Sequence, residues 1–180
     1  MNRLVSRVGS ILPLATLLAL ASCEITPVHS DPVTAFHGEK QLELLVAPAY
    51  VESFRLDPHS YGNADPGDRF AGYAVIEVGP RLVERQQLDI FPLFLDETCY
   101  GFDFEQGCEF TPGLGLRFAR GVDHVDVLVC FECNEWQFEH DGRVVGEEFH
   151  RKRARAVLVS IARELFPNDA VIRRLRAVDD

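Results

Sequence analysis

Val125-Asp126-Val127-Leu128-Val129-Cys130-Phe131-Glu132-Cys133-Asn134-Glu135-Trp136-Gln137-Phe138-Glu139, followed by His140-Asp141-Gly142-Arg143-Val144, decides the fold. Branched and aromatic residues dominate on both sides of Asp141-Gly142, and the flanks alternate apolar with polar as a half-buried strand does. Asp-Gly suits a type I′ turn, whose two central residues both need φ > 0, so the stretch predicts a hairpin. Gly113 to Arg120 carries the same β pattern one turn upstream, and the three segments 113–120, 125–139 and 144–147 read as an antiparallel meander. Trp136 and Phe138 project to the same side as Asn134 and are expected in the core.

A helix follows. Ala154, Val157, Leu158, Ile161 and Leu165 recur at helical spacing, Glu147 and Glu148 are expected at its positive end, and Pro167 stops it. Arg151, Lys152, Arg153 and Arg155 are expected on its wet face. Asn168 or Asp169 is placed to cap a short final helix carrying Val171, Ile172 and Leu175. Upstream, Leu42 to Val46 and Tyr50 to Leu56 read as strands, and 57–68 is a Pro-, Gly-, Asn- and Asp-rich loop. Its Asp65 and Asp68 lack the oxygen spacing of a calcium loop. Phe70 to Val78 is a further strand, and Pro80 can open a helix running from about 81 to 91 that Pro92 interrupts. The fold class is therefore α+β: an antiparallel sheet, with its Asp141-Gly142 hairpin, packed against one long C-terminal helix and a shorter helix near 81–91.

The N-terminus has a different character. Arg3 and Arg7 precede an apolar stretch from Ile11 to Leu20, too short to span a bilayer, that ends in Leu20-Ala21-Ser22-Cys23. These four residues resemble the bacterial lipoprotein lipobox. The resemblance implies a signal peptide over 1–22 and a Cys23 that is acylated and becomes the first residue of the mature chain. Residues 23–40 then form a lipid-anchored flexible tether, and 41–180 a single α+β domain. Removing Arg3 and Arg7 takes the formal charge from −10 to about −12. So acidic a chain is repelled by nucleic acid, and its attachment to the membrane rests on acyl chains rather than on a basic patch. Glu24, where an Asp would resemble an inner-membrane retention signal, favours the outer membrane, facing the periplasm.

Four cysteines remain: Cys99, Cys108, Cys130 and Cys133. In an exported chain an even number reads first as disulfides, and Cys99–Cys108 with Cys130–Cys133 closes the shortest loops. A Cys130–Cys133 bridge needs a bulge or turn at Phe131-Glu132, because residues three apart on a regular strand face opposite ways. Zinc is the alternative cofactor, held by Cys130 and Cys133 with Cys99, Cys108, His124 or His140. A thioredoxin-type pair is the third reading, but that chemistry uses a helix N-terminus where this sequence has a strand.

Cys108-Glu109-Phe110-Thr111-Pro112, Leu116-Arg117-Phe118 and Cys130-Phe131-Glu132-Cys133 together resemble a family of small, functionally uncharacterised bacterial proteins, often lipoproteins. They are marked by Cys-x-x-x-Pro, an Arg-Phe strand and a Cys-Phe-x-Cys strand. The likeness extends more loosely from about Ala74 to Phe166. It implies one α+β domain with a cluster of Cys108, Cys130 and Cys133, and no reaction; Cys99 lies outside the pattern.

No Gly-x-Ser-x-Gly elbow, phosphate-cradling glycine loop or His-Glu-x-x-His helix occurs. Glu132, Glu135 and Glu139 read as a solvent-facing row. The functional expectation is a lipid-anchored envelope protein with no cofactor, acting by non-catalytic binding or in envelope maintenance, with an envelope protein as partner. The alternative is a thiol-disulfide or zinc-dependent protein using Cys130 and Cys133.

Overall fold

The computed structural model describes residues 31–63, 65, 68–102, 107–149 and 153–178. The expected signal peptide, Cys23 and the first part of the expected tether lie outside the described residues. Seven antiparallel strands form one sheet: β1 (Tyr50–Leu56), β2 (Arg69–Phe70), β3 (Tyr73–Val78), β4 (Leu114–Arg120), β5 (Asp123–Cys130), β6 (Glu135–His140) and β7 (Arg143–Glu148). Their order is β2-β3-β1-β4-β5-β6-β7. Asp141 and Gly142 take φ of 50° and 76° between β6 and β7, as a type I′ turn requires.

The expected single segment 125–139 is two strands. Phe131-Glu132-Cys133-Asn134 forms a turn between Cys130 and Glu135, which pair across the ladder, and Asn134 takes the left-handed φ of 55°. Phe70 to Val78 divides likewise, because Ala71 and Gly72, with φ of 47° and 88°, turn the chain between β2 and β3.

Among the described residues, five α-helices accompany the sheet: α1 (Pro32–His37), α2 (Glu39–Val46), α3 (Glu84–Leu95), α4 (Ala154–Leu165) and α5 (Ala170–Arg174). Two of them correct the N-terminal reading. The expected tether is helical from Pro32, because Asp31 caps α1 by accepting from the Thr34 amide at 2.9 Å and Pro32 suits the first helical position. The expected strand at Leu42 to Val46 belongs to α2, whose buried Gln41, Leu44 and Leu45 share one face at helical spacing.

α3 begins at Glu84 rather than near 81, since Leu82 is still extended and donates its amide to Val51 O. It also runs through Pro92. That residue removes one helical donor, yet the Asp96 amide still closes on Pro92 O at 3.2 Å. Leu88, whose carbonyl loses the proline's amide, has a solvent-exposed side chain. The helix expected to be shorter is thus as long as α4, at 12 residues each. Glu147 and Glu148 lie in β7 or at its end, not on the first turn of α4.

The strands alternate between two cores. Leu114, Leu116, Phe118, Val125, Val127, Val129, Trp136 and Phe138 face the main core, which α2, α3 and α4 complete with residues such as Leu45, Phe94 and Leu158. The opposite face holds a smaller cluster of Leu56, Phe70, Tyr73 and Leu128, joined by the half-buried Phe54 and Phe110. Gly115 belongs to that face: a Cβ there would stand 2.7 Å from the Phe70 ring. Beside it, Arg117 makes a two-pronged ion pair with the buried Asp126, both contacts 2.7 Å, and the pairing holds the guanidinium pKa above its usual value.

Candidate functional site

Two features stand out from this scaffold: the cysteine-bearing turn at one end of β5, and a groove along α3. Asn134 is left-handed, which Asn tolerates because its short amide can bond locally. Arg155 of α4 locks the turn from inside. Its Nη1 donates to Phe131 O and to Asn134 Oδ1, both at 2.5 Å, and its Nε donates to Arg176 O at 2.8 Å. Arg155 was expected on the wet face of α4 and is 5 % exposed. Arg151 and Lys152 lie outside the described residues; Arg153 is exposed and pairs with Asp96. A buried guanidinium needs several acceptors in fixed directions, and the carbonyls of a tight turn supply them.

The cysteine pairing differs from the shortest-loop expectation. Cys108 is bonded to Cys133, with Cα atoms 5.8 Å apart, while Cys99 and Cys130 are free and buried. The turn carries Cys133 off the strand toward the segment containing Cys108, whereas Cys99 sits in the main core beside Tyr100. Burial pushes the Cys99 thiol up to about 11, and the Asp96 carboxylate adds to the rise, so it stays protonated at neutral pH. Cys130 is 0 % exposed and receives the Cys133 amide on its sulfur at 3.4 Å. Thr111 Oγ1 lies 3.7 Å from the same sulfur.

Among the described residues, no three His, Cys, Asp or Glu side chains are gathered to hold a metal ion. His124 and His140 do not join the cysteines. They sit at the far end of the β5–β6 ladder, His124 six residues and about 20 Å from Cys130 along β5, and His140 Nδ1 meets His124 O at 2.7 Å. His140 is partly buried instead of solvated. Of the three glutamates, Glu132 is exposed in the turn, while Glu135 and Glu139 share the face of the sheet opposite the main core, where Glu135 accepts from Gln137 at 3.2 Å.

The groove was not anticipated. Val46, Leu88, Phe91, Pro92 and Leu95 line a shallow groove open to solvent, with Asp96 and Glu97 at its end. Leu88 and Leu95, seven apart on one side of α3, are 64 % and 56 % exposed. The Leu88–Leu95 spacing is present in the sequence, but a helix read as ending at Pro92 leaves Leu95 out of the pattern. No described helix is long and apolar enough to cross a membrane.

Comparison with family models, with curated proteins and with solved structures finds no match for this chain.

Proposed function

We propose that this chain is a lipid-anchored protein of the bacterial cell envelope whose folded domain acts by binding, without catalytic turnover. Acyl chains on Cys23 hold it to the membrane, with the outer membrane, facing the periplasm, as the favoured site. The lipobox resemblance of Leu20-Ala21-Ser22-Cys23 supports the anchor, and the groove along α3 supports the binding role. Its occupant is an amphipathic segment of an envelope protein with apolar side chains flanked by Lys or Arg. Apolar Leu88, Phe91 and Leu95 match the first feature; the exposed Glu97 and the acidic net charge of the chain match the second. Thiol or zinc chemistry on an outside substrate would need Cys130 and Cys133 reachable and unbonded; Cys130 is buried and Cys133 is bridged to Cys108.

Two measurements test this. Cys23→Ser abolishes labelling by a lipid analogue and releases the protein from membranes; unchanged labelling defeats the anchor. A helical Lys/Leu peptide titrated against the protein shifts NMR signals along α3 and at Val46, and Leu88→Asp weakens it roughly tenfold. Equal binding of a Glu/Leu peptide, or indifference to Leu88→Asp, defeats the groove.

A further inference from the structure

The turn at the end of β5 brings a free thiol to a disulfide. Cys130 ends β5 and Cys133 lies in the turn that follows it, and the Cys133 amide donates to Cys130 Sγ at 3.4 Å. Cys133 is bonded outward to Cys108. The three sulfurs differ sharply in environment: Cys130 and Cys133 are buried, whereas Cys108 lies between Gly107 and Glu109 on an exposed stretch. No outside reagent reaches Cys130 while the domain is closed, so the partner within its reach is the bridge beside it.

We propose that Cys130 is an internal exchange nucleophile that moves the disulfide from Cys108–Cys133 to Cys130–Cys133 and leaves a reactive thiol at Cys108 on the surface. In the step, the Cys130 thiol gives up its proton and its sulfur attacks Cys133 Sγ. The Cys133–Cys108 bond breaks, and Cys108 departs as a thiolate that takes up a proton. One disulfide and one thiol are present before and after, so no oxidant or reductant is consumed. Solvent stabilises the departing thiolate at the exposed Cys108, which favours that sulfur as the leaving group. The Cys108–Cys133 form is the ground state, since it is the pairing the folded chain holds. The exchanged form is therefore minor, and it offers a surface thiol to a partner's thiol or disulfide. This inference is independent of the binding role of α3.

The test is iodoacetamide treatment of the native full chain at about pH 8 without reductant, followed by mapping of each cysteine. The expected result is slow alkylation of Cys108, with Cys130 and Cys133 joined in one peptide. Cys130→Ser, checked for an unchanged fold by circular dichroism, lowers the Cys108 labelling roughly tenfold or more. Labelling at Cys130 instead, or unchanged Cys108 labelling in Cys130→Ser, overturns the proposal. Cys108→Ser removes the bridge without opening a cavity, and with its fold checked by circular dichroism it tests whether Cys130 and Cys133 can join if Cys130→Ser does not fold. Glutathione disulfide then closes Cys130 to Cys133, a loss of two hydrogens in that peptide, and two persistently free thiols there overturn it as well.

Discussion

His37 Nε2 and Tyr100 Oη lie 2.6 Å apart, joining the first helix to the segment after α3 inside the main core. The surrounding bonds assign the proton. Gln41 Nε2 donates to His37 Nδ1 at 3.3 Å, so the ring proton sits on Nε2 and is donated to Tyr100, whose hydroxyl donates to Phe94 O at 3.2 Å. A neutral ring satisfies every member of this chain.

Acid should therefore undo the docking of α1. Burial, with the nearby Arg143 guanidinium adding to it, lowers the His37 pKa to about 4 from 6.5. Below 6.5 the unfolded chain takes up a proton that the folded ring refuses, so this contribution to stability is fully present above pH 6.5. It shrinks as pH falls and is gone near 4, a loss of about 3 kcal/mol at its limit. Urea unfolding at pH 7 and pH 4.5 checks it: His37→Phe should flatten the difference, and a wild-type pH slope in that variant would contradict the assignment.

Arg155→Ala should destabilise the domain by about 2–4 kcal/mol, because Phe131 O, Asn134 Oδ1 and Arg176 O all lose this donor in a buried site. Arg155→Lys should recover little, since one ammonium cannot reproduce a planar fork directed at three acceptors. Thermal unfolding of both variants measures this, and a near-wild-type midpoint for Arg155→Lys would show that charge rather than geometry matters there.

How much of this was legible in the sequence follows from how local each signal is. Asp141-Gly142 was readable because few other dipeptides suit two consecutive positive φ values. Trp136 and Phe138 were readable because strand alternation needs no knowledge of the partner. Leu42 to Val46 misled because a short apolar run fits a strand or a buried helix face equally well, and the Gln41, Leu44, Leu45 face shows only once the core exists. Asp31-Pro32, a cap followed by a first-turn proline, was a start signal concealed in tether-like composition. Arg155 and the Cys108–Cys133 pairing are long-range facts, set by where the 131–134 turn comes to rest.

Gly115→Ala should cost about 1–3 kcal/mol although β4 is a regular strand that accepts alanine. The added methyl would meet the Phe70 ring at 2.7 Å, on a face already closed by Tyr73 and Leu128. Phe70→Leu in the same chain removes part of that ring and should restore some of the loss, so the two changes are non-additive. A double-mutant cycle by chemical denaturation decides it, and strict additivity would mean that the strain lies elsewhere.

The oxidised chain should contain one disulfide in its folded domain, not two. Rapid denaturation with iodoacetamide and no reductant should mark Cys99 and Cys130 and spare Cys108 and Cys133. Cys108→Ser should then lower stability by roughly 3–4 kcal/mol, the loop-closure contribution for a bridge of this span. The change touches an exposed position, so the loss reflects the missing cross-link and not a cavity. Cys99→Ala trims a buried side chain and should lower the midpoint while leaving the bridge intact. A second bridge involving Cys99 would contradict this pairing, and mass mapping of the bridged peptides would reveal it.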